Sequence, residues 1–175
     1  NGHYIYIKDG DSIWNPGWQP AQTPVDNYTC RHGLGYSIIS SSHGDIQAET
    51  TYFVPIGDNC ELNKLTVKNT GTAARTISIY SYVEFCLWNA VDDCNNFQRN
   101  FSTGEVEIAV NQSGKDSDYS AIYHKTEYRE RRNHYAIHAV NTSVDGFDSS
   151  RESFIGTYGS PSMPKAVREG KSYNS

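Results

Sequence analysis

The 175-residue chain is poor in the features that would take it into a membrane or onto nucleic acid. Its longest apolar stretches, such as residues 52–56, fall far short of the roughly 20 residues a membrane helix needs. Lys and Arg number 15 against 20 Asp and Glu, a formal charge of −5, so the cationic excess that neutralises phosphates is missing. Methionine occurs once, no signal peptide is visible and the chain opens on Asn1 rather than Met, so we expect a processed product or an excised piece of a longer protein. The four cysteines, at positions 30, 60, 86 and 94, match no zinc or redox spacing. A chain of this length can bury a core without staples, so they are expected to be reduced, partly buried thiols of a cytoplasmic protein. Capped helical periodicity is absent over any useful length.

What the chain does contain is small hydrogen-bonding and aromatic residues: 19 Ser, 12 Thr and 14 Asn beside 13 Tyr, 6 Phe and 3 Trp. So many aromatics exclude disorder. Period-two alternation predicts strands at residues 3–8, 36–41, 46–54, 61–68 and 74–86, then at 105–110, 121–128, 135–140 and 153–158. Turn residues at 42–45 predict a hairpin between the second and third runs, and those at 69–72 another between the fourth and fifth. Residues 110–120 read as an exposed polar loop. The fold class is all-β, an antiparallel β-sandwich occupying residues 1–175 as one domain.

Several clusters bear chemistry. Trp14 and Trp18 flank a proline-punctuated loop; they either stack on sugar rings or plug an end of the sandwich, and residue type leaves both open. The GxG of Gly33 and Gly35 leads into a strand rather than a helix, which excludes a phosphate cradle and leaves His32 as a hydrogen-bonded structural imidazole or an interdomain contact. Glu84 with Asp92 or Asp93 forms a weak candidate glycosidase pair, because separation in space decides that chemistry. Asp92, Asp93, Asn95, Asn96, Gln98, Arg99 and Asn100 crowd amides, carboxylates and a guanidinium that suit a polyhydroxyl ligand, or equally a solvated loop. Residues 123–134 interleave Tyr, Arg and Glu, as a docking interface or an ion-paired sheet edge would. His134 and His138 share a strand face, but without a third ligand they make no metal site.

The strings GDSIWNPGWQP, CRHGLGYS, VEFCLWNAVDDCNNFQRNFSTGEVE, IYHKTEYRERRNHYA and GFDSSRESFIGTY, in this order, resemble the N-terminal region of the cellobiose phosphorylase family of inverting disaccharide phosphorylases. The resemblance implies a supersandwich-like domain, incomplete at one or both ends, that precedes an (α/α)6 catalytic barrel absent from this chain. It also implies a parent homodimer that transfers glucose from cellobiose to inorganic phosphate, giving α-glucose 1-phosphate and glucose. Phosphate is a co-substrate, no cofactor or metal is implied, and neither nucleic acid nor a membrane is a partner. No catalytic residue falls in this chain, which alone should be inactive. By the same resemblance, Gln98 and Arg99 bind the acceptor glucose and Asn96 supports them. From a different functional class, a free-standing carbohydrate-binding module or a structural dimerisation domain would use the same sandwich.

Overall fold

The computed structural model describes residues 2–85, 91, 103–110, 116–126 and 134–173, with the backbone alone at 103–110, 116–126, 134 and 135. The chain divides into two compact units, one of Tyr4–Ser81 with Pro161–Met163, the other of Asn1–His3, Tyr82–Ser160 and Pro164–Ser175.

In the first unit β1 (His3–Asp9), β2 (Ser12–Trp14) and β7 (Ile77–Val83) form a sheet of order β2-β1-β7. A second sheet, of order β3-β4-β5-β6, is built from β3 (Asn27–His32), β4 (Tyr36–His43), β5 (Ile46–Phe53) and β6 (Leu62–Asn69). Both sheets feed one core, where Ile7 and Trp14 meet Ile46 and Ala48, with Val25, Leu65, Val67 and Ile77 packed around them. The alternation of β5 explains its place: Ile46, Ala48 and Thr50 are buried while Gln47 and Glu49 are exposed. Each large apolar side chain so buried contributes about 1.5–3 kcal/mol. The β4–β5 turn closes through His43 opposite Ile46, with Gly44 at φ 56°, a left-handed backbone that glycine adopts without a Cβ penalty.

The predicted hairpin between residues 61–68 and 74–86 does not form. Instead β6 pairs with β5, and β7 belongs to the other sheet. The connecting loop is held back at the β4–β5 turn, where the Thr70 amide and hydroxyl both donate to the Asp45 carbonyl at 2.8 and 2.9 Å. Arg75 then pairs with Asp9 through two nitrogens, at 3.3 and 2.5 Å, and joins the start of β7 to the end of β1. The strand itself is shorter than the predicted run, and Tyr82 rather than Ile79 is buried on it. Two elements, β2 and β3, are absent from the predicted list because neither alternates.

The second unit carries β8 (Thr103–Val110), β9 (Asp116–Thr126) and β10 (His134–Val140) in an antiparallel sheet of order β10-β9-β8. Residues 116–120 therefore extend a strand rather than lie in the predicted loop, while 111–115 fall outside the described residues. The strand predicted at 153–158 is also corrected, because α1 (Arg151–Ile155) occupies its first half. Phe154 and Ile155 are adjacent and both buried, which a strand facing one core cannot do but a helical turn can. Gly156, at φ 97°, then ends the helix. A second short helix, α2 (Lys165–Glu169), buries Ala166 and Val167 and stops at Gly170. Tyr82 stacks on Phe154 at 4.7 Å between ring centroids. Among the described residues no helix is long and apolar enough to cross a membrane.

Candidate functional site

Asn96, Gln98 and Arg99 lie outside the described residues, as do Asp92, Asp93, Asn95, Asn100 and residues 127–133 of the Arg- and Tyr-rich segment. Glu84 is described, and its surroundings argue against an acid or base role. Its carboxylate accepts from Arg151 Nε at 2.8 Å and from the Tyr82 hydroxyl, an ion pair within the second unit in which the Arg151 side chain is 39% and the Glu84 side chain 14% exposed.

The two loop tryptophans separate. Trp14 is fully buried in the core, with its ring 5.8 Å from that of His43. His43 donates from Nδ1 to the Pro24 carbonyl at 2.9 Å, which leaves Nε2 to accept from the Ser12 hydroxyl at 2.8 Å. Trp18 stands 43% exposed on a backbone at φ 68°, a conformation that costs a bulky residue free energy and persists only where its surroundings enforce it. The enforcement comes from below. Buried Asn15 donates to the Ile5 carbonyl at 2.7 Å and accepts from the Ala21 amide at 2.8 Å, while Ser41 donates to the Pro16 carbonyl at 2.8 Å. The Trp18 amide donates to the Asn15 carbonyl at 2.9 Å, and the Gln22 amide to the Trp18 carbonyl at 2.8 Å. On the same loop Gln22 Nε2 donates to Gln19 Oε1 at 3.4 Å, so an exposed indole and side-chain amides occur together, which is chemistry for a sugar ring.

The second unit offers an open cleft of about 450 Å³ lined by Tyr158, Tyr173, Lys165, Ser153, Thr157 and Glu152, with Gly156 at its wall. Lys165 Nζ lies 4.3 Å from the centroid of the Tyr173 ring, and the Tyr173 hydroxyl donates to Glu169. That bond, ahead of the neighbouring Lys165 and Arg168 charges, holds the Glu169 carboxyl below its ordinary range. Glu152 accepts from the Thr157 hydroxyl at 2.8 Å. Among the described lining residues Glu152 is the only carboxylate, where glycoside hydrolysis needs two, so the cleft has binding chemistry without a catalytic pair.

His138 meets His3 edge-on at 5.6 Å, and burial, reinforced by the His3 charge, lowers its pKa to about 4. Among the described residues no group of three or more His, Cys, Asp and Glu side chains is placed to hold a metal ion. Cys30 and Cys60 are free and exposed, not partly buried as the sequence suggested. Cys30 shares a strand face with His32, the residue two positions along, a juxtaposition missed because β3 was not predicted as a strand.

Comparison with known proteins follows the whole length. The profile of the glycosyl hydrolase 94 supersandwich domain matches residues 1–175. The N,N'-diacetylchitobiose phosphorylase of Vibrio proteolyticus is 33% identical over 99% of this chain and 21% of its own length. The solabiose phosphorylase of Paenibacillus borealis is 30% identical over 98% of the chain and 22% of its own length. The cyclic beta-(1,2)-glucan synthase NdvB of Rhizobium meliloti is 28% identical over 97% of the chain but only 6% of its own length. The chain thus spans about a fifth of the length of these phosphorylases. With the family profile matched from end to end and an all-β sandwich to receive it, this chain belongs to the glycosyl hydrolase 94 supersandwich domain family.

Proposed function

We propose that this chain is the N-terminal sandwich of a cytoplasmic, homodimeric cellobiose phosphorylase, and that it supplies part of the acceptor-sugar site and of the dimer contact. The observation that carries the reading is the family match over residues 1–175, joined by phosphorylase relatives that cover nearly the whole chain. Cellobiose rather than another disaccharide is supported by the string of residues 83–107, which resembles cellobiose-cleaving members. In this reading inorganic phosphate attacks the anomeric carbon from one side while a general acid protonates the departing glucose oxygen on the other. Both groups belong to the catalytic barrel. This chain's part is positional: Gln98 and Arg99 hydrogen-bond the acceptor glucose, and Asn96 braces them.

The test is phosphate dependence. The full polypeptide carrying this sequence, given cellobiose, releases glucose 1-phosphate and glucose only when inorganic phosphate is present. Release of two glucoses without phosphate overturns the proposal. In the same polypeptide Arg99→Ala raises the KM for glucose in the synthetic direction by about tenfold, the worth of one charge-assisted hydrogen bond. A second reading, a carbohydrate-binding module, is favoured by one observation, the exposed indole of Trp18 held on a braced loop. Saturable binding of cellobiose by the 175-residue chain, abolished by Trp18→Ala, would establish it.

A further inference from the structure

β3 is the outer strand of its four-stranded sheet, and all six of its residues are exposed. Cys30 and His32 are two apart on it and therefore project from the same face. Antiparallel register places His32 directly opposite Ser37 on β4, within the reach of a cross-strand pair. The contacts follow from that placement. Cys30 Sγ lies 3.3 Å from His32 Nε2, and His32 Nδ1 lies 2.8 Å from Ser37 Oγ. The tautomer that lets Nε2 accept carries its proton on Nδ1, and the Ser37 oxygen is placed to receive that N–H. The two-strand connection keeps this arrangement in place: the Gly33 amide donates to the Tyr36 carbonyl at 2.8 Å, and the Tyr36 ring lies so close over Gly33 that a Cβ there would come within 2.4 Å of it.

We propose that Cys30, with His32 as proton acceptor and Ser37 as the group that orients the imidazole, is a reactive thiol that exchanges with low-molecular-weight disulfides of the glutathione type. The Cys30 thiol passes its proton to His32 Nε2, the sulfur's electron pair forms a bond to one sulfur of the incoming disulfide, and that disulfide's S–S bond breaks. The released half leaves as a thiolate and takes up the proton from the imidazolium. Cys30 is oxidised to a mixed disulfide, and the half that leaves is the reduced product. None of this depends on the phosphorylase reading.

The molecule contains its own control. Cys60, in the connection between β5 and β6, is also free and exposed, and among the described residues it has no imidazole within hydrogen-bond reach. The experiment uses the 175-residue chain with Cys86 and Cys94 replaced by Ser, treated under native conditions with a small excess of 5,5'-dithiobis(2-nitrobenzoate). Thiolate release gives the rates, and mass spectrometry of the peptides gives the sites. Cys30 should react about tenfold faster than Cys60, in keeping with the dependence of thiol reactivity on its surroundings. His32→Gln should remove that advantage and leave the Cys60 rate unchanged; Ser37→Ala should remove part of it. Oxidised glutathione should label the Cys30 peptide first. Equal rates at the two cysteines in the parent chain overturn the proposal without recourse to any His32 variant. An undiminished Cys30 rate in a folded His32→Gln chain, with its far-ultraviolet circular dichroism intact, overturns the role of the imidazole.

Discussion

At one end of the four-stranded sheet, Ile46 and Ala48 of β5 and Val67 of β6 share the core with Trp14. At the other end of the same strands, Tyr36, Phe53 and Leu62 stand opposite one another in a row, 50%, 36% and 45% exposed, with Leu34 and Ile56 fully open beyond them. Backbone hydrogen bonding is the same at both ends. The difference is cover: β1, β2 and β7 supply apolar side chains to one end, and the strands of this unit run on past that supply. The closed end sets stability, whereas the open end is surface available for chemistry, and the Cys30–His32–Ser37 row lies there.

The largest test of this contrast is Trp14→Ala. Removing a fully buried indole should destabilise the chain by about 3–5 kcal/mol, read by denaturant unfolding, and a loss below about 1 kcal/mol would mean that the closed end is not the core. The imidazole of His138 gives the next. Burial, then the His3 charge, lowers His138 to about 4 from an ordinary 6.5, so the folded state favours the neutral ring. That contribution is complete above the unfolded value and is lost as pH falls from 6.5 towards 4, by about 3 kcal/mol at most. His138→Gln should flatten the acid side of the stability profile, and a profile as steep as the parent's would mean that the ring is not buried neutral.

Asn15→Ala should cost about 1–3 kcal/mol, because the Ile5 carbonyl and the Ala21 amide both lose a partner at a buried site. It should also release Trp18, seen as a red shift and broadening of its fluorescence in a chain whose Trp88 is replaced by Phe. Smallest of all, Tyr36→Ser with Phe53→Ser should change stability by no more than about 0.5 kcal/mol, the usual scale for surface sites. A larger loss would mean that the open row is packed after all.

Legibility in the sequence followed the same division. β5 was readable because Ile46, Ala48 and Thr50 alternate with Gln47 and Glu49 under a core. β3 was not, because Asn27-Tyr-Thr-Cys-Arg-His32 is an outer strand exposed throughout and has no burial to impose a period. The turn at residues 69–72 looked like a hairpin because turn chemistry is local, whereas its anchoring to Asp45 comes from residues about 25 positions away. Phe154 and Ile155 suggested a strand by composition and formed a helix because both face burial. As for the site, nothing local distinguishes Trp14 from Trp18; their separation rests on Asn15 reaching Ile5 and on the positive φ it helps to hold. Asn96, Gln98 and Arg99 were assigned to sugar binding through family resemblance and lie outside the described residues.

Asn15 has one further consequence, for the ageing of the protein. Asparagine side chains are slowly lost when the following backbone nitrogen attacks the side-chain carbonyl and the resulting ring opens to aspartate. Here the following residue is Pro16, whose nitrogen bears no hydrogen and cannot close that ring in the ordinary way. An aspartate at position 15 would turn a carboxylate oxygen towards the Ile5 carbonyl in place of the amide N–H. The proline that shapes the loop thereby also protects the amide at its base from chemical decay.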